Sequence, residues 1–538
     1  MIEFDAVLRS YGKRAALKQV LFTALVYWNA LPFGMHTLAP IMYAAPANYR
    51  CNASISLDGR NFPYNTTIYA DLTPGFSSDK CMKLITSCKE NHTEKCSNVS
   101  IHEEQCDSGY WFDRMEFTNT IIMEWGLVCD KKIKISIATS LYMAGMWLGS
   151  ILFGYISDRF GRKPSMIAAV IGGMAASLSL NLAVDFWTFQ LLRFFVGVFC
   201  YPAFMISFIY AMEINYKQRT FAGLLIHVPF AVGHALNSLI AFFCRDWRHF
   251  NIIISLFFLP YVIFHFFIPE SPRWYFSNDR NEEGKASALK FISSHELKKD
   301  EEKAIWEDAT SSNKNGQQTY SAVDLFKGTR MRIITFKVIF IWFSTSFLFY
   351  GLSLNVGALN GNIFVNNAMN AGVEILISIL IIITLDRVGR RHMLALTITF
   401  SGISCIINAV MNSTVGTDVS RVVVSLLGKI GAAGAFQILY NFTAELYPTV
   451  IRSNGVGVGS MAARIGSICT PFVVRLYDVI LFLPDAIFGV VAVLAGLVVL
   501  TLPETTRLAL PQTLDEAELL YIKQKQGRSV TQESNLRE

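Results

Sequence analysis

The chain has 538 residues, of which 52% are hydrophobic, 13% aromatic and only 16% charged, with a mean hydropathy of +0.37. Soluble chains carry roughly 25% charged residues, so an ordinary cytosolic enzyme is excluded. The 47 basic and 41 acidic residues leave +6, too small a surplus for a nucleic-acid binder of this size, and no basic face interleaved with aromatics suggests one.

Apolar runs of about 20 residues, long enough to cross a bilayer as helices, recur through the chain. They predict spans near 18–43, 135–157, 164–184, 186–211, 221–243, 249–268, 335–355, 363–385, 393–411, 420–443, 455–478 and 484–502. The first run follows Arg9, Lys13, Arg14 and Lys18 but is too long for a signal-peptide core and lacks a small-residue cleavage site, so it reads as a retained helix. The result is an all-α membrane protein. An N-terminal segment (1–17) precedes a six-helix bundle (18–268), a charged linker (269–334), a second six-helix bundle (335–502) and a tail (503–538). Short amphipathic helices are expected in the linker between Ala286 and Trp306, and disorder after Gln524.

Lys and Arg close to span ends are retained on the cytoplasmic side. Arg9, Lys13 and Arg14, then Arg159, Arg162 and Lys163, then Arg387, Arg390 and Arg391, and the basic linker all fall on one side when twelve spans are threaded. Both termini and the linker are therefore expected to be cytoplasmic, and residues 44–134 extracellular. That long loop holds Cys51, Cys81, Cys88, Cys96, Cys106 and Cys129, an even set in an oxidising compartment that allows three disulfides in any of fifteen connectivities. The absence of a paired C-x-x-C spacing makes zinc the weaker reading, and no metal site is assigned. Glycosylation sequons at Asn52, Asn65, Asn91 and Asn98 lie in the same loop, whereas those at Asn412 and Asn441 sit at or inside spans and are discounted. Cys200, Cys244, Cys405 and Cys469 fall in or beside spans and read as packing residues.

Three motifs occur twice, about 230 residues apart. Asp158-Arg159-Phe160-Gly161-Arg162-Lys163 after span 2 answers to Asp386-Arg387-Val388-Gly389-Arg390-Arg391 after span 8. Glu213 with Arg219 answers to Glu445 with Arg452, and Glu270 with Arg273 answers to Glu504 with Arg507. Two parallel six-helix repeats of this kind build transporters that rock about a midplane site. The repeated carboxylates and arginines are expected either to terminate and orient helices or to pair across the cytoplasmic face as a switch that closes and opens with the cycle; their repetition at equivalent places favours the switch.

With these motifs in hand, the chain resembles the major facilitator superfamily and, within it, the organic ion transporter family. The superfamily signal is Asp158 to Lys163 with its second copy. The family signal is the six-cysteine loop, Glu124-Trp125-Gly126-Leu127-Val128-Cys129-Asp130, Pro269-Glu270-Ser271-Pro272-Arg273-Trp274, and Ala444-Glu445-Leu446-Tyr447-Pro448 within Asn441 to Arg452; the match runs from about residue 15 to 515. The resemblance implies a plasma-membrane carrier, expected to work as a monomer, whose central cavity opens alternately to either side for drug-sized organic ions.

Ionisable groups inside spans usually face a cavity or a partner, and few exist. Glu374 in span 8 and Arg464 in span 11 stand out; Lys429, Arg193, His227 and His234 complete the set. Two roles are open for Glu374 and Arg464. They lock helices by pairing, Arg464 with Glu374 or another acid, or they receive substrate, the guanidinium taking a carboxylate and the glutamate an ammonium. The resemblance implies that cation-selective members tend to have an acid where Arg464 stands and that anion and carnitine-type members have arginine, while some anion members replace the Glu374 position by lysine. Glutamate with arginine therefore points to a zwitterion. Trp342, Phe343, Phe347 and Tyr350 recur at helical spacing in span 7, Gln437 and Tyr440 stand one turn apart in span 10, and Asn29 is a polar group inside span 1. Trp342, Tyr350, Gln437, Tyr440 and Asn29 join Glu374 and Arg464 as candidate substrate contacts, the rings offering cations a π face.

The leading expectation is a carrier of organic zwitterions or cations, carnitine-like or amine-like. An organic anion exchanger built on Arg464 is the alternative, and a non-transporting sensor a third. No G-x-S-x-G, H-E-x-x-H or P-loop lysine motif supports an enzyme or an ATP-driven pump, and no cofactor is expected. Sodium coupling stays open, because a site of backbone carbonyls leaves no sequence signature. A sugar porter would account for twelve helices but not for the six-cysteine loop or Arg464.

Overall fold

The computed structural model describes residues 12–51, 54–57, 60–63, 81–88, 99–106, 109–215, 219–291, 322–355, 361–413, 417–448 and 451–505. Cys96, the sequons at Asn52, Asn65, Asn91 and Asn98, and Arg507 lie outside these residues, as do the side chains of Cys88 and Arg219.

Twelve spans form two six-helix pseudo-repeats. Spans 2 to 6 are Ile133–Phe160, Arg162–Ser179, Phe186–Ile214, Phe221–Cys244 and Trp247–Phe264. Spans 7 to 12 are Thr329–Leu354, Ile363–Val388, Arg390–Ser413, Asp418–Leu446, Arg452–Val474 and Leu483–Leu500. Span 1 is broken into Gly12–Tyr27, Ala30–Leu38 and Pro40–Tyr43. Pro40 lacks the N–H that would close onto the carbonyl four residues back, and that carbonyl, of His36, accepts instead from the buried guanidinium of Arg193 on span 4. A break in span 1 thus supplies the partner of a charge in span 4. The Arg193 guanidinium also lies 4.2 Å from the Tyr142 ring centre and 5.3 Å from that of Tyr43, so its role is inside the first half.

Spans 2 and 4 touch through glycine. A Cβ on Gly145 would fall 2.1 Å from the Phe194 carbonyl oxygen, and one on Gly149 would fall 2.2 Å from that of Val198. Without a hydrophobic force between helices in lipid, such close backbone approach is a main source of association. Gly161 and Gly389, at φ +109° and +99°, turn the chain between spans 2 and 3 and between spans 8 and 9 with a conformation that side chains disfavour.

The extracellular loop adds six short strands in three antiparallel pairs: Tyr49–Cys51 with Tyr110–Phe112, Ser54–Leu57 with Arg60–Pro63, and Met82–Cys88 with Val99–Gln105. Disulfides join Cys51 to Cys106 and Cys81 to Cys129; the third expected bridge falls outside the described residues. Cys200, Cys244, Cys405 and Cys469 are unpaired.

Glu124, in the sequence motif that ends the loop, docks it on the first half. Its carboxylate accepts from Arg248 at 2.5 Å, from the indole of Trp247 at 2.7 Å and from Asn119 at 3.0 Å. Burial raises its pKa, but these donors together outweigh it and hold the carboxyl below the ordinary value. A depressed carboxyl contributes stability above its unfolded pKa and loses it as pH falls through the folded one. Glu124→Gln is therefore expected to cost about 2 kcal/mol at pH 7, read as a lower Tm in detergent, and the difference from wild type is expected to shrink as pH falls through the lowered folded-state value; a difference independent of pH would show that charge plays no part.

The halves meet on the side of this loop. Lys132 pairs with Asp478 at 3.2 Å. Ser136 and Ser140 of span 2 donate to the carbonyls of Pro471 and Ile468 on span 11 at 3.0 and 2.8 Å, and Asn367 of span 8 donates to Ser238 of span 5 at 2.8 Å.

Candidate substrate site

At the opposite ends of the spans, the repeated motifs form two equivalent clusters. Arg162 donates to Glu213 at 2.8 Å and to Asp158 at 2.5 Å; Arg390 donates to Glu445 at 3.2 Å and to Asp386 at 2.7 Å. Glu270 accepts the backbone N–H groups of Arg162 and Lys163, both at 3.0 Å, and Glu504 those of Arg390 and Arg391 at 3.2 and 3.4 Å. Each glutamate caps the span that begins there, where unpaired N–H groups favour an anion. Burial pushes the Glu270 carboxyl up from its ordinary value, against those N–H donors. The hydroxyls of Ser271 and Thr505 complete the pattern by donating to Glu213 and Glu445.

These bonds run within each half. Glu213 and Glu445 take Arg162 and Arg390, the arginines of the turn motif. Trp274, next to Arg273, donates its indole N–H to the Asp158 carbonyl at 2.8 Å, and Arg159 bonds the Tyr155 hydroxyl on its own helix at 2.9 Å; Arg387 ends span 8.

Between the halves, mid-bundle, lies a small cavity. The first half lines it with Phe33, Phe204, His227 and Phe230; the second with Phe349, Tyr350, Glu374, Ala433, Phe436, Gln437, Tyr440 and Arg464. The rings form a continuous wall: Phe33 stands 4.7 Å from Phe204 and 5.5 Å from Phe230, Phe349 stands 5.2 Å from Phe436, and Phe230 reaches Phe349 across the interface at 6.4 Å between centroids. Apolar walls with few convergent polar groups are the usual make-up of small-molecule sites.

Of the seven expected contacts, Glu374, Arg464, Tyr350, Gln437 and Tyr440 line the cavity. Trp342 does not: its indole donates to Thr443 at 2.9 Å and its ring backs Tyr440 at 4.6 Å. Asn29 does not either, since its amide is buried against the Ser207 hydroxyl at 3.0 Å. Phe343 and Phe347 stack on each other at 5.7 Å, and Phe347 packs on Phe488 of span 12 at 4.7 Å, so they occupy another face of span 7.

Glu374 and Arg464 are both buried and do not pair with each other. Glu374 is 2.7 Å from the Lys429 ammonium and 3.4 Å from Nδ1 of His234. Lys429, whose role the sequence left open, also donates to the Ser353 hydroxyl and stands 3.5 Å from the Phe349 ring centre. Gln437 donates to Ser378 at 2.7 Å, which fixes its amide on the Glu374 turn. Among the described residues no carboxylate pairs with Arg464. Its guanidinium lies 3.9 Å from the Tyr201 ring centre among the phenols of Tyr201, Tyr350 and Tyr440, and its Nε and Nη1 have no acceptor among the described residues.

Two six-helix pseudo-repeats around a central, ring-lined ionic cavity define a membrane transporter of the major facilitator fold. The solved xylose transporter XylE from E. coli, in its inward open conformation, superposes with a TM-score of 0.63 over 93% of this chain and 99% of its own at 16% identity, a likeness of fold. Residues 59–516 match the family model described as sugar (and other) transporter. Relatives include solute carrier family 22 member 6-B of Xenopus laevis, 32% identical over 96% of this chain and 94% of that protein. Solute carrier family 22 member 16 of Homo sapiens is 30% identical over 96% and 93%, and the organic cation transporter protein of Drosophila melanogaster 29% over 96% and 94%. The chain belongs to the sugar (and other) transporter family and, within it, to the organic ion transporters of solute carrier family 22.

Proposed function

We propose that this carrier moves small organic ions that bear a carboxylate or like anionic group, anions and zwitterions, by alternating access, with Arg464 as the anchor of that group. The observation that carries the reading is the contrast between the two buried charges. Glu374 is neutralised by Lys429, whereas Arg464, which lines the cavity, meets phenols and no carboxylate among the described residues. A desolvated guanidinium is stabilised most by a charge-assisted, bidentate partner. The flat rings of Phe33, Phe349 and Tyr440 supply apolar area for the organic body. A cation must displace Lys429 to reach Glu374, so carnitine-like zwitterions fit the site through their carboxylate and simple amines fit it least.

Uptake of labelled carnitine, ergothioneine, tetraethylammonium and a dicarboxylate, with and without sodium, tests this. Carboxylate-bearing compounds are expected to accumulate and tetraethylammonium to lag at least tenfold; the reverse order would return the reading to an amine carrier based on Glu374.

The two charged clusters support a mechanical role, namely that each holds its half together while the halves rock. Glu213→Gln and Glu445→Gln are each expected to lower transport several-fold at unchanged surface amount, and the double variant to lower it more than tenfold; wild-type rates in the double variant would assign the clusters to folding alone. The basic residues beside the spans support a reading in which these clusters, both termini and the linker are cytoplasmic, the bridged loop is outside and the carrier sits in the plasma membrane.

A further inference from the structure

Tyr201 is a side chain of the first half that meets the proposed anchor on the second. It stands on span 4, 2% exposed, with its ring centre 3.9 Å from the Arg464 guanidinium carbon and its hydroxyl 3.1 Å from that of Ser460. Ser460 and Arg464 are one turn apart on span 11, so a single residue of the first half touches that helix face at two points. The ring is held in turn by aromatics of its own half, Phe33 at 5.6 Å and Phe204 at 6.2 Å between centroids, both of which line the cavity. A tyrosine in an apolar run carries no mark of this position in the sequence, because its partners belong to the other half of the chain.

A guanidinium offers two kinds of surface. Its face is attracted to an aromatic ring, and its rim carries the N–H donors, which lie in its plane. Contact through the face leaves the rim for an acceptor, and Nε and Nη1 of Arg464 have none among the described residues. A donor set whose plane is fixed in advance loses less freedom when a ligand arrives, which raises affinity without a new contact. Tyr350 and Tyr440 also surround the guanidinium, but they stand on spans 7 and 10 of the second half and move with Arg464. Tyr201 does not.

We infer that Tyr201 is a positioning residue for the transported anion: its ring fixes the plane of the Arg464 guanidinium before substrate arrives and so sets the affinity for the carboxylate. The inference rests on the reading of Arg464 as the anchor. Because the ring belongs to one half and the guanidinium to the other, the anchor is in order only while the halves are together at this level. Rocking them apart there loosens the grip on the carboxylate, so release follows from the same motion that opens the cavity.

Initial rates of labelled carnitine uptake into proteoliposomes, over a range of concentrations, separate affinity from rate. Tyr201→Leu is expected to raise KM about tenfold with the maximal rate within about twofold of wild type; Tyr201→Met, equally without a ring, takes its place if the leucine chain does not fold. Tyr201→Phe keeps the ring and is expected to hold KM within about twofold, as is Ser460→Ala, which removes the same hydroxyl contact from the other side. In an Arg464→Ala chain, adding Tyr201→Leu is expected to change uptake less than about twofold, because the group that it positions is gone. An unchanged KM in Tyr201→Leu, a KM in Tyr201→Phe as high as in Tyr201→Leu, or losses that multiply in the double variant would overturn the positioning role, as would a lower maximal rate at constant KM, the mark of a packing residue. Those results leave the substrate reading standing. It falls instead if Arg464→Ala alone does not lower carnitine uptake, or lowers tetraethylammonium uptake equally.

Discussion

Arg464→Ala is expected to reduce uptake of carboxylate-bearing substrates about 100-fold, equivalent to about 2.7 kcal/mol, with surface expression retained. The magnitude follows from what is removed. A buried charge that meets its partner only in the loaded carrier contributes roughly 2–5 kcal/mol when its partner would otherwise be stranded, and the cavity offers the substrate no second cation free of an acid, since Lys429 is held by Glu374. Arg464→Lys keeps the charge but loses the planar fork, and an intermediate loss is expected. Surface biotinylation with paired uptake of carnitine and tetraethylammonium checks this. An equal loss for both compounds would mean that Arg464 braces Tyr201, Tyr350 and Tyr440 and does not bind substrate.

The second large effect is on the protein itself. Lys429→Ala leaves the Glu374 carboxylate buried without its closest countercharge, which costs about 3–5 kcal/mol when a buried pair is broken from one side. The Tm of the purified protein is expected to fall steeply. Removing both charges, as Lys429→Met with Glu374→Gln, is expected to restore most of it, because a neutral pair of similar volume has no desolvation penalty. A double variant no more stable than Lys429→Ala would show that the lysine stabilises the bundle through Phe349 and Ser353 and not through charge.

Much of this architecture was legible in the sequence, and the reasons differ from residue to residue. Spans declare themselves by length and hydropathy, and the repeat by motifs at a fixed offset. Glu374 and Arg464 stand out because charge inside lipid is scarce. What the sequence does not carry is which helix faces which. Glu374 and Lys429 lie 55 residues apart, and only the packing of span 8 on span 10 makes them a pair; His234 reaches Glu374 from the other half. Helical spacing put Trp342 and Tyr350 on related faces of span 7 but does not say that Tyr440 stands between Trp342 and the cavity. The same holds at the turn motifs, where the arginine, the acid of span 4 or 10, and the capping glutamate are assembled from three separated segments. Asn29 shows the converse case: a polar residue in an apolar run needs a partner, and Ser207 on a neighbouring helix serves as well as a ligand would.

The Glu374–Lys429 pair also sets what an unloaded carrier can do. A half-turn of the cycle without substrate drags every uncompensated charge through a dehydrated intermediate, and the lysine spares Glu374 that penalty by standing in for an absent ammonium. Arg464 has no such stand-in. If Arg464 holds the substrate as proposed, return of the empty protein is expected to be the slow leg, and substrate waiting on the far side is expected to hasten entry of more from the near side, a kinetic preference for swapping over one-way flow.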